Sequence, residues 1–330
     1  MKHKLVFIII SVSIIALISS CVTQSISNPG PQYTSTSISS TSQPEISAFT
    51  PTPSQTSKPA SLNATAVLAP ISAAMSKVNT VNIDSNIIDQ YTMRLQSGTI
   101  QTVYIWDGQR AVDIGNNQMH LKMNLDELSN DGLYTGIKVN SYYDNENSYN
   151  QSWMSGGLSP QGRWYQSKLR EGPLNIVGEV PLPAKNQLSP IIELLASANQ
   201  TIFRTTGKLD GPSFQVIDFS PSAEAVADWI LSLYFEGGPS MQVSTGIDII
   251  GKNTFMKTYK GGIFKIWVDS ESNLIIKAYF APVFQATLNE LDSYSRQTGN
   301  IESDFIGQLN FSNYNQPVDI QVPPEALNGK

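Results

Sequence analysis

The chain of 330 residues has one cysteine, Cys21, and two histidines, His3 and His120. One cysteine excludes a disulfide framework and a zinc site built on thiolates. His3 belongs to the N-terminal signal described below, so the mature protein lacks a metal site built on several histidines. The common catalytic signatures are also absent: the sequence has no Gly-x-Ser-x-Gly, no phosphate-binding glycine loop and no His-Glu-x-x-His. We therefore expect no enzyme, no cofactor and no metal site.

The N-terminus has the three parts of a secretory signal. Lys2 and Lys4 precede an apolar run from Leu5 to Ile18, and two serines separate this run from Cys21. A positive start, a short apolar stretch and small residues at a cleavage site are typical of a signal peptide, and the run is too short to span a bilayer comfortably. We predict that residues 1–20 are a signal peptide.

The sequence Ile18-Ser19-Ser20-Cys21 resembles the lipobox of bacterial lipoproteins. In that family the cysteine is acylated, with palmitate among its acyl chains, and becomes the first residue of the mature protein. The resemblance implies that Cys21 is lipidated and anchors the protein on the extracytoplasmic face of the cell membrane. The two other interpretations are an uncleaved anchor and an ordinary signal with an incidental cysteine.

The charge of the mature chain limits its partners. Removing Lys2 and Lys4 from the 21 basic residues leaves 19 against 27 acidic residues, a formal charge of −8. Phosphate backbones and anionic lipid headgroups repel such a surface. We therefore expect no nucleic-acid partner, and we expect the membrane to be reached through acyl chains rather than through a basic patch.

From Val22 to about Ala66 the chain consists mainly of Ser, Thr, Pro and Gln, and Glu45 and Lys58 are its only charged residues. Such a segment buries too little apolar area to offset the entropy of ordering it. We predict that residues 21–66 are the lipidated cysteine and a disordered tether. The remaining residues, 67–330, are long enough for one sizeable core and show no second linker, which predicts a single domain.

Three patterns predict helices in that domain. The first covers about residues 69–79, with Pro70 in its first turn. Ser189-Pro190 and Ser220-Pro221 each place a capping residue before a proline at the first helical position. An apolar stripe follows the second pair and is expected to pack on a sheet. Its residues are Val226, Trp229, Ile230, Leu233 and Tyr234.

The rest of the domain alternates as strands. A hairpin is predicted around Ser97-Gly98, and a strand over 119–125 places His120 on its solvent side, where a solvated histidine fits better than a catalytic one. Asp144 to Asn147 and Ser270 to Asn273 read as turns of two further hairpins. The remaining predicted strands are 163–169, 305–311 and 318–322, and residues 284–300 fit a strand extension or a short helix. These patterns predict the α+β class with a large antiparallel sheet.

Two segments resemble a known family. Phe264 to Asp269, followed by Leu274 to Tyr279, is similar to the late hairpin of LolA-like and LppX/LprG-type lipoproteins. Phe311-Ser312-Asn313-Tyr314-Asn315-Gln316-Pro317-Val318-Asp319-Ile320-Gln321-Val322-Pro323-Pro324 resembles their ending. The resemblance implies a strongly curved half-barrel sheet that wraps around a few helices and leaves an apolar cavity. Members of the family bind lipids, acylated glycolipids or lipoprotein acyl chains there.

The resemblance also implies which residues face the cavity. They are Met119, Leu121, Met123, Phe264, Ile266, Val268, Leu274, Ile276 and Phe280. The same alternation describes any sheet packed on helices without a cavity. Two functions are therefore retained. The first is a tethered carrier or chaperone for a lipid or acylated glycolipid. The alternative is a non-catalytic sensor or protein-interaction module with a filled interior, as in RseB-like sensors.

Two weaker groups have alternative interpretations. Asp144 to Asn147 offers oxygen ligands for calcium, but it lacks the spacing and the glycine of a calcium loop and fits a solvated turn better. Six aromatic residues lie close together in the sequence. Two interpretations fit them: a surface that binds carbohydrate or peptide, or aromatic pairs across neighbouring strands. They are Tyr142, Tyr143, Tyr149, Trp153, Trp164 and Tyr165.

Overall fold

Eleven strands form one antiparallel sheet in the computed structural model, which describes residues 64–129, 134–144, 146–154, 162–168, 188–208, 213–236, 256–287 and 299–328. The strands are β1 (Thr80–Leu95), β2 (Gly98–Asp113), β3 (Gln118–Ser129), β4 (Tyr134–Tyr143), β5 (Asn147–Met154), β6 (Trp164–Lys168), β7 (Gln200–Lys208), β8 (Ser213–Ser220), β9 (Tyr259–Asp269), β10 (Ile275–Thr287) and β11 (Gly299–Ser312). The helices are α1 (Ala64–Met75), α2 (Ser189–Ala196), α3 (Ala223–Glu236) and α4 (Pro324–Leu327).

The strand order is β6-β5-β4-β3-β2-β1-β11-β10-β9-β8-β7. The chain enters at the middle of the sheet, runs to the edge at β6, crosses to the edge at β7 and returns to the middle. The first and last strands therefore pair with each other, from Asn82 opposite Ser312 to Leu95 opposite Gly299. The two edge strands are not neighbours in the sheet. The predicted class is confirmed: a large curved antiparallel sheet with a few helices.

One face of the sheet, here called the inner face, carries the buried side chains and packs against the helices. Along β3 the burial alternates, with Met119, Leu121 and Leu125 almost fully buried. The side chains of the three longer helices join the same hydrophobic cluster. They include Leu68, Ile71 and Met75 of α1, Ile191, Leu194 and Leu195 of α2, and Val226, Trp229 and Ile230 of α3. The opposite side is called the outer face below.

The helix boundaries differ from those that the sequence predicted. Helix α1 covers Ala64–Met75 instead of 69–79, and Pro70 lies inside it at the cost of one backbone hydrogen bond. Ser189 is the first residue of α2 rather than its cap, because Leu188 holds the cap position without a side-chain hydrogen bond. The cap of α3 is Ser222 rather than Ser220, since its Oγ accepts the backbone N–H of Ala225 at 3.2 Å.

The predicted hairpins form, with longer strands than the patterns indicated. The β1–β2 turn needs Gly98, whose φ of 144° is unfavourable for other residues. The sequence pattern of residues 284–300 fits either a strand extension or a short helix. Strand β10 continues to Thr287, so the start of this region is a strand extension, and residues 288–298 lie outside the described residues. Strands β7 and β8 were not predicted.

The predicted strand over 318–322 is wrong, because those residues form neither helix nor strand. They follow β11, both of whose sides are already taken by β1 and β10, so no free edge is available beside it. The segment instead leads to α4, whose Ala326 is fully buried against Tyr149 and Trp164 on the outer face.

The described residues all belong to one compact unit, which lies within Ser57–Lys330. The predicted signal peptide, Cys21 and almost all of the predicted tether lie outside the described residues. The expectations for them stay predictions.

Candidate functional site

The inner face is built from rows of side chains that the strand register aligns. One row runs across five strands through Gly307, Ile87, Trp106, Leu125 and Ile137. Because side chains alternate between the faces of a strand, every second register position adds another row on the same side. The register therefore makes a continuous apolar surface from strands that are far apart in the sequence.

Seven of the nine residues predicted to face a cavity are buried in this surface and belong to one hydrophobic cluster. They are Met119, Leu121, Met123, Phe264, Ile266, Val268 and Phe280. The three residues of β3 and the three of β9 stand on two arms of the sheet, with β2, β1, β11 and β10 between them. Their assignment to a ligand site stays a prediction.

The other two residues do not follow the predicted alternation. Leu274 and Ile276 are half-buried, and Leu274 packs against the edge of the cluster. Ile275 is the fully buried residue here, because the β9–β10 pairing shifts register between Ile275 and Lys277. An extra residue in one strand changes the face on which the next side chain points. Ile276 is that extra residue, so it does not belong to the buried row.

Phe280, a predicted site residue, belongs to an aromatic group at the centre of the inner face whose other members, Trp229, Phe305 and Trp106, were not predicted as site residues. The Trp229 ring of α3 lies 4.5 Å from the ring centroid of Phe280 and 5.5 Å from that of Phe305. Trp106 lies 6.5 Å from Phe305 on the other side. The apolar stripe of α3 had predicted contact with a sheet, and Trp229 confirms it. The sequence pattern of the helix does not predict which strands the stripe contacts.

A polar group, here called the Asp89 cluster, consists of Asp89, Tyr104, Glu127 and Ser303 at one end of the inner face. Asp89 is 1% exposed, and its Oδ1 accepts a hydrogen bond of 2.6 Å from the Oγ of Ser303. The Tyr104 hydroxyl donates to Oε1 of Glu127 at 3.4 Å. Burial, followed by the charges of Glu127 and Asp89, raises the pKa of Tyr104. Tyr104 therefore stays protonated as a hydrogen-bond donor.

Arg110 is a second polar residue within the inner face. Only 5% of it is exposed, and its Nη1 donates to the Oγ of Ser85 at 3.2 Å. Ser85 in turn donates to the carbonyl of Gly108. The sequence pattern gave no signal for Arg110 or Asp89, because each occupies an apolar position of an otherwise regular alternation.

The side chain of Tyr314 links the C-terminal segment to α1 and β10. Its hydroxyl donates to the carbonyl of Ile275 at 2.5 Å and lies 3.8 Å from the sulfur of Met75. Burial raises the pKa of this phenol, so the hydroxyl remains a donor. One side chain thereby joins α1, β10 and the C-terminal segment that follows β11.

His120 lies on the outer face as predicted, although it is half-buried rather than fully solvated. Its ring stacks on Tyr142 with 4.0 Å between centroids, and its Nε2 is 2.9 Å from Oδ1 of Asn140. Burial lowers the pKa of His120, against the hydrogen bond with Asn140, which raises it. These contacts are those of a structural histidine.

The aromatic residues 142–165 separate onto different surfaces. Tyr142 and Trp164 have ring centroids 5.9 Å apart on the outer face, and Tyr149 is buried there beneath α4. Tyr143 is buried in the inner-face cluster, while Tyr165 is exposed. Trp153 lies apart from them, at the edge of a polar groove that is described below.

The turn from Asp144 to Asn147 uses its oxygens internally. Oδ1 of Asp144 accepts the backbone N–H groups of Glu146 and Asn147 at 2.8 and 2.7 Å. Among the residues that the structure describes, no group of three His, Cys, Asp or Glu side chains is arranged to hold a metal ion. Nor does any helix in these ranges combine the length and the apolar character that crossing a membrane requires.

No family model and no curated protein matches the chain. Solved structures do match its fold. The structure of LprF from Mycobacterium bovis is 11% identical, with a TM-score of 0.39, over 80% of this chain and 99% of that chain. The lipoprotein LppX from Mycobacterium tuberculosis is 15% identical, with a TM-score of 0.31, over 78% and 98%.

A LolA-superfamily protein from Nitrosomonas europaea is 10% identical, with a TM-score of 0.18, over 79% of this chain and 96% of that chain. LppX-type and LolA-superfamily proteins are thus among the solved structures to which this chain is similar.

Proposed function

We propose that this chain is a lipoprotein, tethered through Cys21 to the extracytoplasmic face of the cell membrane, that holds a lipid or an acylated glycolipid against the inner face. In this role it acts as a carrier or chaperone, and no step of the proposal requires catalysis. The observation that carries it is the single apolar cluster formed by residues from two arms of one sheet, β3 and β9.

An acyl chain suits this surface because its recognition needs contact area rather than reactive groups. Each buried methylene contributes about 0.8 kcal/mol, so a chain of ordinary length gains most of its binding free energy from burial alone. The inner face carries that area across neighbouring strands, and because the helices pack against it, an acyl chain would lie between the sheet and the helices. Tethering by a lipidated cysteine would keep such a site close to its membrane source.

The Asp89 cluster supports an amphiphilic ligand. Its row, Phe305–Asp89–Tyr104–Glu127, is the next inner-face row after Ile87–Trp106–Leu125. The carboxylates of Asp89 and Glu127 accept hydrogen bonds, which suits the hydroxyl groups of a sugar headgroup. Two acidic side chains in a poorly solvated site repel an anionic phosphate. An uncharged polar headgroup therefore fits this end of the inner face better than a phosphate.

The alternative function is a non-catalytic sensor or interaction module. The contact between Trp229 and Phe280 favours it, because a tryptophan packed on the sheet fills space that a ligand would otherwise use. Under this alternative the inner face is only a protein core, and the chain acts through its surface.

Co-purifying lipid distinguishes the two functions. The lipoprotein purified from membranes is extracted with organic solvent, which removes non-covalent lipid and leaves the acyl chains on Cys21. Mass spectrometry of the extract is then compared with that of an unrelated lipoprotein purified in parallel. The carrier function predicts a specific lipid near one molecule per chain, and an extract matching the control favours the sensor.

A further inference from the structure

The outer face contains a groove that the lipid site does not use. Its volume is about 730 Å³, and it crosses β11, β1, β2, β3, β4 and β5. By register, ten of its fourteen lining residues belong to two rows on the outer face. One row is Asn310, Asp84, Gln109, Lys122 and Asn140, and the other is Asn86, Asp107, Asn124, Lys138 and Trp153.

The groove is polar but balanced in charge. Asp84 and Asp107 oppose Lys122 and Lys138, so neither sign is in excess. The other polar side chains of the two rows, apart from Trp153, are amides, which both donate and accept hydrogen bonds. Two of them already have a partner within the protein: Asn140 Oδ1 lies 2.9 Å from His120 Nε2, and Asn86 Nδ2 donates to Asp107. Such a lining does not select an anion, as a phosphate or nucleic-acid site would, and it does not select a cation. It suits a neutral ligand with many hydroxyl groups.

Trp153 adds the apolar part of such a site. It stands opposite Lys138 at one end of the groove and is half-buried. An indole ring presents a flat apolar face together with one N–H donor, which matches the C–H face and the hydroxyl groups of a sugar ring. Five strand spacings of about 4.8 Å make the groove roughly 24 Å long, which suits several linked sugar rings rather than one.

We infer that this groove binds a neutral oligosaccharide. The chain would then have two ligand surfaces on opposite faces of one sheet, an apolar inner face for a lipid and a polar outer groove for a glycan. The glycan could belong to a polysaccharide or to the headgroup of a glycolipid, and both sources share the same recognition by hydroxyl groups and ring faces.

The test uses the full-length lipoprotein in detergent and isothermal titration with three neutral, soluble probes: the hexamer of N-acetylglucosamine, cellohexaose and maltohexaose. We expect saturable binding of at least one probe. Trp153→Ala should weaken it about tenfold, equivalent to ~1.4 kcal/mol. The double variant Gln109→Ala/Asn124→Ala changes two exposed groove residues and should also weaken binding.

Trp267→Ala is the matched control, because Trp267 is an outer-face tryptophan of β9 outside the groove, with Lys277 over its ring at 5.2 Å. It should bind as the wild type does. The inference is overturned if no probe binds, or if binding survives in both groove variants. Titration with the same sugars linked to a neutral short-chain lipid, in the same detergent, distinguishes a headgroup from a free glycan: a headgroup site binds the lipid-linked sugar more tightly than the free sugar, and Trp153→Ala weakens both. If the wild-type protein carries no co-purifying lipid, the proposed lipid carrier function fails, but the sugar binding expected here does not change.

Discussion

The rings of Trp229 and Phe280 lie 4.5 Å apart with an interplanar angle of 59°. Trp229 belongs to α3 and Phe280 to β10, and both are almost fully excluded from solvent. Phe305 on β11 meets the same indole edge-on at 5.5 Å. Helix α3 is therefore anchored on the neighbouring strands β10 and β11. This anchor fixes α3 over the inner face at which we place the lipid.

Trp229→Ala should destabilise the domain strongly. Removing a buried tryptophan leaves a cavity and typically costs about 3–5 kcal/mol. Urea denaturation followed by circular dichroism measures the change in the free energy of unfolding. Trp267→Ala on the outer face should cost much less, because that ring is half-buried. Equal losses in the two variants would show that Trp229 does not anchor the helix.

Tyr314→Phe removes the hydroxyl that joins the C-terminal segment to Ile275. The carbonyl of Ile275 then loses a buried partner, which costs about 1–3 kcal/mol. Thermal unfolding should show a lower melting temperature. Tyr165→Phe is the control, since Tyr165 is exposed on edge strand β6. An unchanged melting temperature for Tyr314→Phe would show that this hydrogen bond does not stabilise the domain.

His120 should make stability depend on pH. Burial lowers its pKa in the folded protein, while the unfolded chain keeps a value of about 6.5. The unfolded state therefore binds more protons between these two values, and the free energy of unfolding falls as the pH drops through about 6.5. His120→Gln should lose this dependence. Denaturation at about pH 7.5 and about pH 5.5 compares the two proteins, and an equal change in both would refute the assignment.

Cys21 can be tested directly in cells. Cys21→Ser removes the thiol that acylation requires, so unprocessed precursor should accumulate and labelling by a palmitate probe should disappear. A serine substitution elsewhere in the predicted tether, Thr36→Ser, should leave labelling intact. Labelling that persists in Cys21→Ser would exclude the lipobox interpretation.

Regular alternation explains why much of the buried face could be predicted from the sequence. Met119, Leu121 and Met123 follow the two-residue period of a strand, and the structure buries all three. The same reasoning misplaced Ile276, because a register shift beside it depends on pairing with β9 rather than on local sequence. Local periodicity identifies a face only where the strand is regular.

Contacts across long sequence separations could not be predicted. Asp89 and Ser303 are 214 positions apart and meet only because β1 pairs with β11. The groove on the outer face has the same origin, since its polar residues look like an ordinary solvated face in each strand taken alone. The sequence groups Trp153 with its aromatic neighbours, and only the strand register separates it from Tyr149 and Trp164.

The most direct measurement is the amount of non-covalent lipid bound per chain in Ile266→Trp and Ile276→Trp, beside the wild type. Ile266 is fully buried on the inner face, whereas Ile276 is the half-buried extra residue at the register shift. If the inner face holds a lipid, Ile266→Trp should lose lipid and keep its melting temperature, and Ile276→Trp should keep both. A wild type without lipid, together with an Ile266→Trp variant destabilised by about 1–3 kcal/mol or more through overpacking, would contradict the carrier function.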